Sequence, residues 1–150
     1  KEATLEPSDG ERCPLPPLEG EHGLKVPGET LLPGWRITAE VLEPQEDRGA
    51  VRETADGHTA RFGYDNLGGS LLLRSRSPGD RFQPLGMAQA KKLQDFMVNS
   101  RIPRSWRDRG PLVVSPGGIA WVVGWRIADW ARVTDDDTPR LELRFESRGL

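Results

Sequence analysis

Between Leu31 and Leu42 the chain turns at Pro33-Gly34 and then sets Trp35, Ile37, Ala39 and Val41 two residues apart, with Arg36, Thr38 and Glu40 between them. Successive side chains of a strand point to opposite faces, so this spacing builds a strand with one apolar and one wet face. Such a strand needs neighbours and a cover. Thr59 to Tyr64 and Ser70 to Arg76 read as further strands, separated by Asp65-Asn66-Leu67-Gly68-Gly69. Pro111 to Val114 and Ile119 to Ile127 flank Ser115-Pro116-Gly117-Gly118, where Pro then Gly predicts a type II turn closing a β-hairpin. Trp121 and Trp125, four apart on that second strand, are expected to share a face and pack in the core. Leu141 to Phe145 alternates into a last strand. Helical periodicity is clearest over 89–99, where Leu93, Phe96 and Met97 form a stripe. Pro103 fits the first turn of a second short helix running through Asp108. The expectation is an α+β fold: a β-rich domain with one or two short helices.

Charge divides the chain more sharply than its formal net charge of −2 suggests. Residues 1–73 hold 7 Lys and Arg against 14 Asp and Glu; residues 74–109 hold 9 against 3. A local excess of this kind calls for a polyanionic partner or an acidic docking surface. Residues 1–23 are acidic, Pro- and Gly-rich and aperiodic, which reads as a linker or surface arm. Residues 24–72 form a strand-rich linking segment, residues 43–58 within it a polar loop, and residues 73–150 a C-terminal domain. The first residue is Lys, so the chain is expected to be a piece of something longer. A chain of 150 residues suits one domain or two small ones sharing a core.

No enzyme constellation assembles from these residues. Cys13 is the single cysteine and lies in the arm; it can form neither an internal disulfide nor a Cys-based zinc cluster. His22 and His58 read as surface histidines without an orienting partner. Asp135, Asp136 and Asp137 lack the spaced ligands of a calcium loop and read as a solvated turn. Gly68-Gly69 and Gly117-Gly118 lack the flanks of a phosphate loop. No catalytic or metal residue is therefore assigned. Without export signal, disulfide framework or apolar membrane span, a cytoplasmic setting is expected.

The basic segment is the informative one. Arg74, Arg76 and Arg81 bracket the turn Ser77-Pro78-Gly79-Asp80, Lys91 and Lys92 are expected to start the helix, and Arg101, Arg104, Arg107 and Arg109 follow. Phosphates neutralised by such a surface release counterions, giving strong, salt-sensitive binding. The plainer alternative pairs these arginines with Asp80, Asp95 and Asp108. Phe82 and Trp106 lie among them, as core aromatics or as platforms for bases. Arg126 joins the basic surface or pairs with Asp129. Asp80 is expected to be structural, holding its turn or clamping Arg76 or Arg81.

The run Leu73-Arg74-Ser75-Arg76-Ser77-Pro78-Gly79-Asp80-Arg81-Phe82-Gln83-Pro84-Leu85-Gly86-Met87 is followed by Lys91-Lys92-Leu93-Gln94-Asp95-Phe96-Met97, then by Ile102-Pro103-Arg104 and Arg107-Asp108. With Ile119 to Ala128 and Arg132-Val133-Thr134, this order resembles the C-terminal region of bacterial tRNA(Ile)-lysidine synthetases. The likeness is dense over 73–134, weaker over 24–72, and absent from 1–23. It implies a fold similar to the C-terminal domain shared with the phenylalanyl-tRNA synthetase β subunit. It further implies an ATP-dependent ligase that joins lysine to the wobble cytidine of the isoleucine tRNA with a CAU anticodon. The family's Ser-Gly-Gly-x-Asp-Ser motif does not occur here, so ATP and magnesium are expected on a missing N-terminal catalytic domain, with no cofactor in this chain and no activity by it alone. The resemblance puts Arg74, Arg76, Asp80, Arg81, Lys91, Lys92, Arg104, Arg107 and Arg126 on family positions and implies a grip on the acceptor end of the tRNA. The alternative is a docking module, its basic face packed on the catalytic domain or on a second copy in a homodimer.

Overall fold

The computed structural model describes residues 18–46 and 58–147. Cys13, residues 1–17 of the expected arm and residues 47–57 of the expected loop lie outside them. Strands β1 (His22–Gly23), β2 (Gly28–Leu32), β3 (Trp35–Leu42) and β4 (Thr59–Gly63) come first, then a one-turn helix α1 (Tyr64–Leu67) and strand β5 (Leu72–Arg74). The basic segment holds β6 (Arg81–Phe82), β7 (Lys91–Lys92), α2 (Leu93–Asn99) and α3 (Arg104–Arg107). Strands β8 (Leu112–Ser115), β9 (Gly118–Val122), β10 (Arg126–Ile127) and β11 (Arg140–Ser147) complete the chain.

Two antiparallel sheets result. One runs β2-β3-β11-β4, the other β1-β5-β8-β9-β10, and a two-stranded ribbon β6-β7 stands beside them. The alternation in β3 works as its spacing predicts: Trp35, Ile37 and Ala39 are buried while Arg36 and Glu40 face water. Strand β11 lies between β3 and β4, pairing with β3 along its whole length, from Arg140↔Leu42 to Ser147↔Trp35. Its residues Leu141, Leu143 and Phe145 are buried in the core, where Phe145 meets Trp121 from the other sheet. The Trp121 ring lies 5.3 Å from Phe145 and 5.6 Å from Phe62, both edge-on. Removing a fully buried aromatic at such a junction costs about 3–5 kcal/mol, so Trp121 ties the two sheets into one core.

Five local expectations are corrected. Lys91 and Lys92 do not start a helix; they form β7 against β6, and α2 begins only at Leu93, whose N–H donates to the Asp80 carbonyl. Ile119 to Ile127 is not one strand, because the chain turns at Gly124 (φ 90°) with Trp125 N–H bonded to the Val122 carbonyl. Trp121 and Trp125 therefore do not share a face: Trp121 is core, whereas Trp125 sits half-buried, edge-on to Trp106. At the hairpin the left-handed φ falls on Gly118 (127°) rather than Gly117, which excludes a type II turn. Finally, the strand read over Ser70 to Arg76 is only Leu72–Arg74, so Arg76 lies beyond it. No described helix is long and apolar enough to cross a membrane.

Candidate nucleic-acid interface

Pro78 and Gly79 (φ 86°) reverse the chain, and Asp80 N–H donates to the Ser77 carbonyl at 3.2 Å. Asp80 accepts the Ser77 N–H at 2.8 Å and a two-pronged bond from Arg74, Nη1 to Oδ2 at 2.9 Å and Nη2 to Oδ1 at 3.0 Å. Asp80 is thus the expected turn clamp, but its arginine is Arg74 rather than Arg76 or Arg81. The turn's reversal returns Asp80 to the end of β5, which decides the partner. Burial pushes the Asp80 carboxyl upward, yet the Arg74 and Ser77 hydrogen bonds and the Arg74 charge outweigh it and hold the group below its ordinary value. Arg74 is raised in turn, chiefly by its hydrogen bond to Asp80 against the opposing effect of burial.

Arg76 is also engaged. Its Nε donates to Asp108 Oδ1 at 2.8 Å, and its Nη1 reaches the Met97 sulfur at 3.6 Å. Arg107 donates from Nε to the Ile102 carbonyl at 3.0 Å. Arg126 does not pair with Asp129, whose carboxylate takes Arg132 and the Gly86 N–H instead. Phe82 is a core aromatic, edge-on to Phe96 at 4.9 Å, and Trp106 is half-buried against Trp125. His58 stacks on Trp35, and His22 Nε2 donates to the Glu19 carbonyl. Among the described residues no group of His, Cys, Asp or Glu is placed to hold a metal.

The remaining cations are arranged differently. In the β6–β7 ribbon Phe82 pairs with Lys91 and Arg81 pairs with Lys92. Directly opposed residues of an antiparallel pair point to the same face, with Cβ atoms about 5 Å apart. Phe82 turns into the core, so Arg81 and Lys92 both turn outward, and both are exposed. Like charges so placed repel. They flank a cleft of about 490 Å³ between the Ser77–Asp80 turn and the start of α2, whose lining also includes the Arg76–Asp108 pair. Arg101 is exposed and holds φ 60°, a left-handed backbone rare for a residue with a side chain. It ends α2 as glycine commonly does: Arg101 N–H bonds to the Val98 carbonyl and Ile102 N–H to Met97. Arg104 and Arg126 are exposed on α3 and β10. The structure therefore joins Arg76, Arg81 and Lys92 around one cleft, spends Arg74 on Asp80, and turns Lys91 half inward. The opposition of Arg81 and Lys92 was invisible to spacing arguments, since it depends on a two-residue ribbon that only tertiary packing specifies.

Comparison with known proteins bears on this segment directly. Residues 71–143 match the family model described as the TilS substrate C-terminal domain. A tRNA(Ile)-lysidine synthase of Dehalococcoides mccartyi is 44% identical over 140 residues, which covers 93% of this chain and 29% of that protein. A solved TilS C-terminal domain superposes with a TM-score of 0.68 at 26% identity, covering 87% of this chain and 98% of that one. An N-terminal fragment of the phenylalanyl-tRNA synthetase β subunit from Pyrococcus horikoshii shares the fold, with a TM-score of 0.52 at 12% identity over 73% of this chain and 38% of that one. The chain spans under a third of the length of the curated relatives it matches. Residues 71–143 belong to the TilS substrate C-terminal domain family, and the chain resembles the C-terminal part of the tRNA(Ile)-lysidine synthases.

Proposed function

We propose that this chain is the non-catalytic tRNA-recognition part of an ATP-dependent ligase that attaches lysine to the wobble cytidine of isoleucine tRNA with the CAU anticodon, and that it grips the acceptor stem. In this reading ATP and magnesium belong to a catalytic domain elsewhere in a cytoplasmic parent protein. The observation that carries the reading is the cross-strand opposition of Arg81 and Lys92. Two exposed cations held face to face cost the free protein stability, and an anion seated between them would relieve that cost. A phosphate backbone suits the cleft beside them, whose lining also carries Arg76, paired there with Asp108. Duplex RNA is read largely through phosphates, 2′-hydroxyls and shape, so a basic ribbon anchored on the core by Phe82 is an apt reader.

The test is binding of this chain to whole isoleucine tRNA, its acceptor minihelix and its anticodon stem-loop, each across a salt series. The reading predicts minihelix affinity comparable to whole tRNA, falling steeply as salt rises. Absence of binding to all three at low salt overturns it.

A second reading, a docking or dimerisation module, draws on two observations. Arg74 and Arg76 already face carboxylates, and Met87 is 44% exposed. Here the basic face packs on the catalytic domain or on a second copy of the chain. Sedimentation at low and high salt separates the cases: a salt-dissociable dimer supports self-association, and a monomer at all salt concentrations removes it.

A further inference from the structure

A second cavity, of about 330 Å³, lies beside the basic cleft, and Arg81 lines both. Gln83, the Gly117–Gly118 turn and Trp130 form its other principal walls. Trp130 stands on a short 3-10 turn, Asp129–Ala131, whose Asp129 N–H is tied to the Gln83 carbonyl at 2.8 Å. Its ring lies against the tip of the β8–β9 hairpin. A Cβ added to Gly117 would come within 3.2 Å of the ring carbons Cη2 and Cζ3, and one on Gly118 within 3.8 Å of Cζ2. Absent side chains at these positions are what let an indole rest there.

Trp130 is thereby positioned without being absorbed into the core. Trp35 and Trp121 are fully buried, whereas Trp130 is only half-buried and borders the cavity. Arg81 Nη2 donates to the Ala90 carbonyl at 3.2 Å, which anchors its guanidinium at the rim. The Gln83 amide nitrogen donates to the Met87 carbonyl at 2.9 Å, which fixes that side chain and leaves its carbonyl oxygen as an acceptor. An indole, a guanidinium and an amide oxygen around a cavity of this size, next to a phosphate-binding cleft, match a flat aromatic group that carries hydrogen-bond donors and hangs from a polyanion. A base within a duplex does not fit, because its faces are covered by stacking. An unpaired base does.

We infer that this cavity receives an unpaired nucleobase of the RNA strand whose phosphates lie in the adjacent cleft. The inference rests on the RNA-binding reading above and adds to it a base-stacking subsite built on Trp130.

Three RNA hairpins test it: one blunt, one with a short unpaired extension, and one with the same extension made abasic. The abasic strand keeps the phosphates and loses only the bases. Wild-type chain is expected to bind the base-bearing extension about tenfold more tightly than the abasic one. Trp130→Ala is expected to abolish that difference while binding the blunt hairpin as before, and Trp130→Phe to keep part of it. Gly117→Ala keeps the indole but displaces it, and is expected to reduce the difference. Equal binding of the base-bearing and abasic extensions by the wild type overturns the inference and leaves the phosphate grip standing. A full difference retained in folded Trp130→Ala also overturns it. If no hairpin binds at low salt, the RNA-binding reading falls and this inference with it.

Discussion

Two antiparallel strand pairs in this molecule use one geometry with opposite electrostatics. In the β4–β11 pair Arg61 stands opposite Glu142, and the two form an ion pair at 3.0 Å, only 22% and 12% exposed. In the β6–β7 ribbon Arg81 stands opposite Lys92, cation against cation. The first arrangement stabilises the sheet; the second opposes its own ribbon and keeps two charges open to solvent. Opposed like charges persist where something else holds the ribbon. Here that is Phe82 in the core, Leu93 N–H on the Asp80 carbonyl, and Arg74 clamped on Asp80. The difference separates the charges that build this domain from those available to a partner.

The largest expected effect comes from the clamp that holds the ribbon's entrance. Asp80→Ala strips Arg74, 17% exposed, of its carboxylate and should cost roughly 2–3 kcal/mol, read as a lower Tm or urea midpoint. The same pair gives a pH signature. Because the folded Asp80 lies below its ordinary value of 3.8, its contribution is complete above that pH and fades as pH falls through the lower folded value. Asp80→Asn should therefore lose stability at neutral pH and show a shallower acid-side decline than the wild type. An unchanged acid limb would mean the clamp is not what holds the turn.

Glu142→Gln probes the attracting pair. It removes the carboxylate that faces Arg61 at 3.0 Å and Arg144 at 3.5 Å, and should destabilise by roughly 1–2 kcal/mol with no change in RNA affinity. Lys92→Glu converts the repelling pair into an attracting one. Stability should rise by about 0.2–1 kcal/mol, while RNA affinity at low salt should fall at least tenfold. Opposite signs in one variant are hard to produce by misfolding. A variant that loses both stability and affinity would break the comparison. The smallest effect is at Arg101: Arg101→Gly relieves the left-handed backbone and should stabilise by about 1 kcal/mol while weakening RNA binding modestly, measured by thermal melts beside binding curves.

Much of the frame could be read from residue order. The Trp35-Ile37-Ala39-Val41 alternation, the Leu141–Phe145 strand and the Leu93-Phe96-Met97 stripe depend on local periodicity, and local periodicity survives folding. What escaped depends on partners far along the chain. Lys91 and Lys92 precede a helical stripe, so they read as helix; only the docking of Arg81–Phe82 makes them a strand. Tyr64–Leu67 is a single turn, too short for periodicity to declare. Trp121 and Trp125 look like one face until Gly124 bends the chain between them. In the candidate site, charge density pointed to the segment that holds both Arg74 and Arg81 but could not distinguish the one spent on Asp80 from the one turned outward. Both are arginines near the same turn, and the distinction is three-dimensional.

The most direct test of the separation is the salt slope of acceptor-minihelix binding, compared between wild type, Arg81→Gln/Lys92→Gln and Glu142→Gln. Each cation that neutralises a phosphate contributes about one unit to the slope of log affinity against log salt. The account predicts a slope shallower by about two for the double variant, with an unchanged or raised Tm, and a wild-type slope for Glu142→Gln. An unchanged slope in a folded Arg81→Gln/Lys92→Gln variant would contradict it.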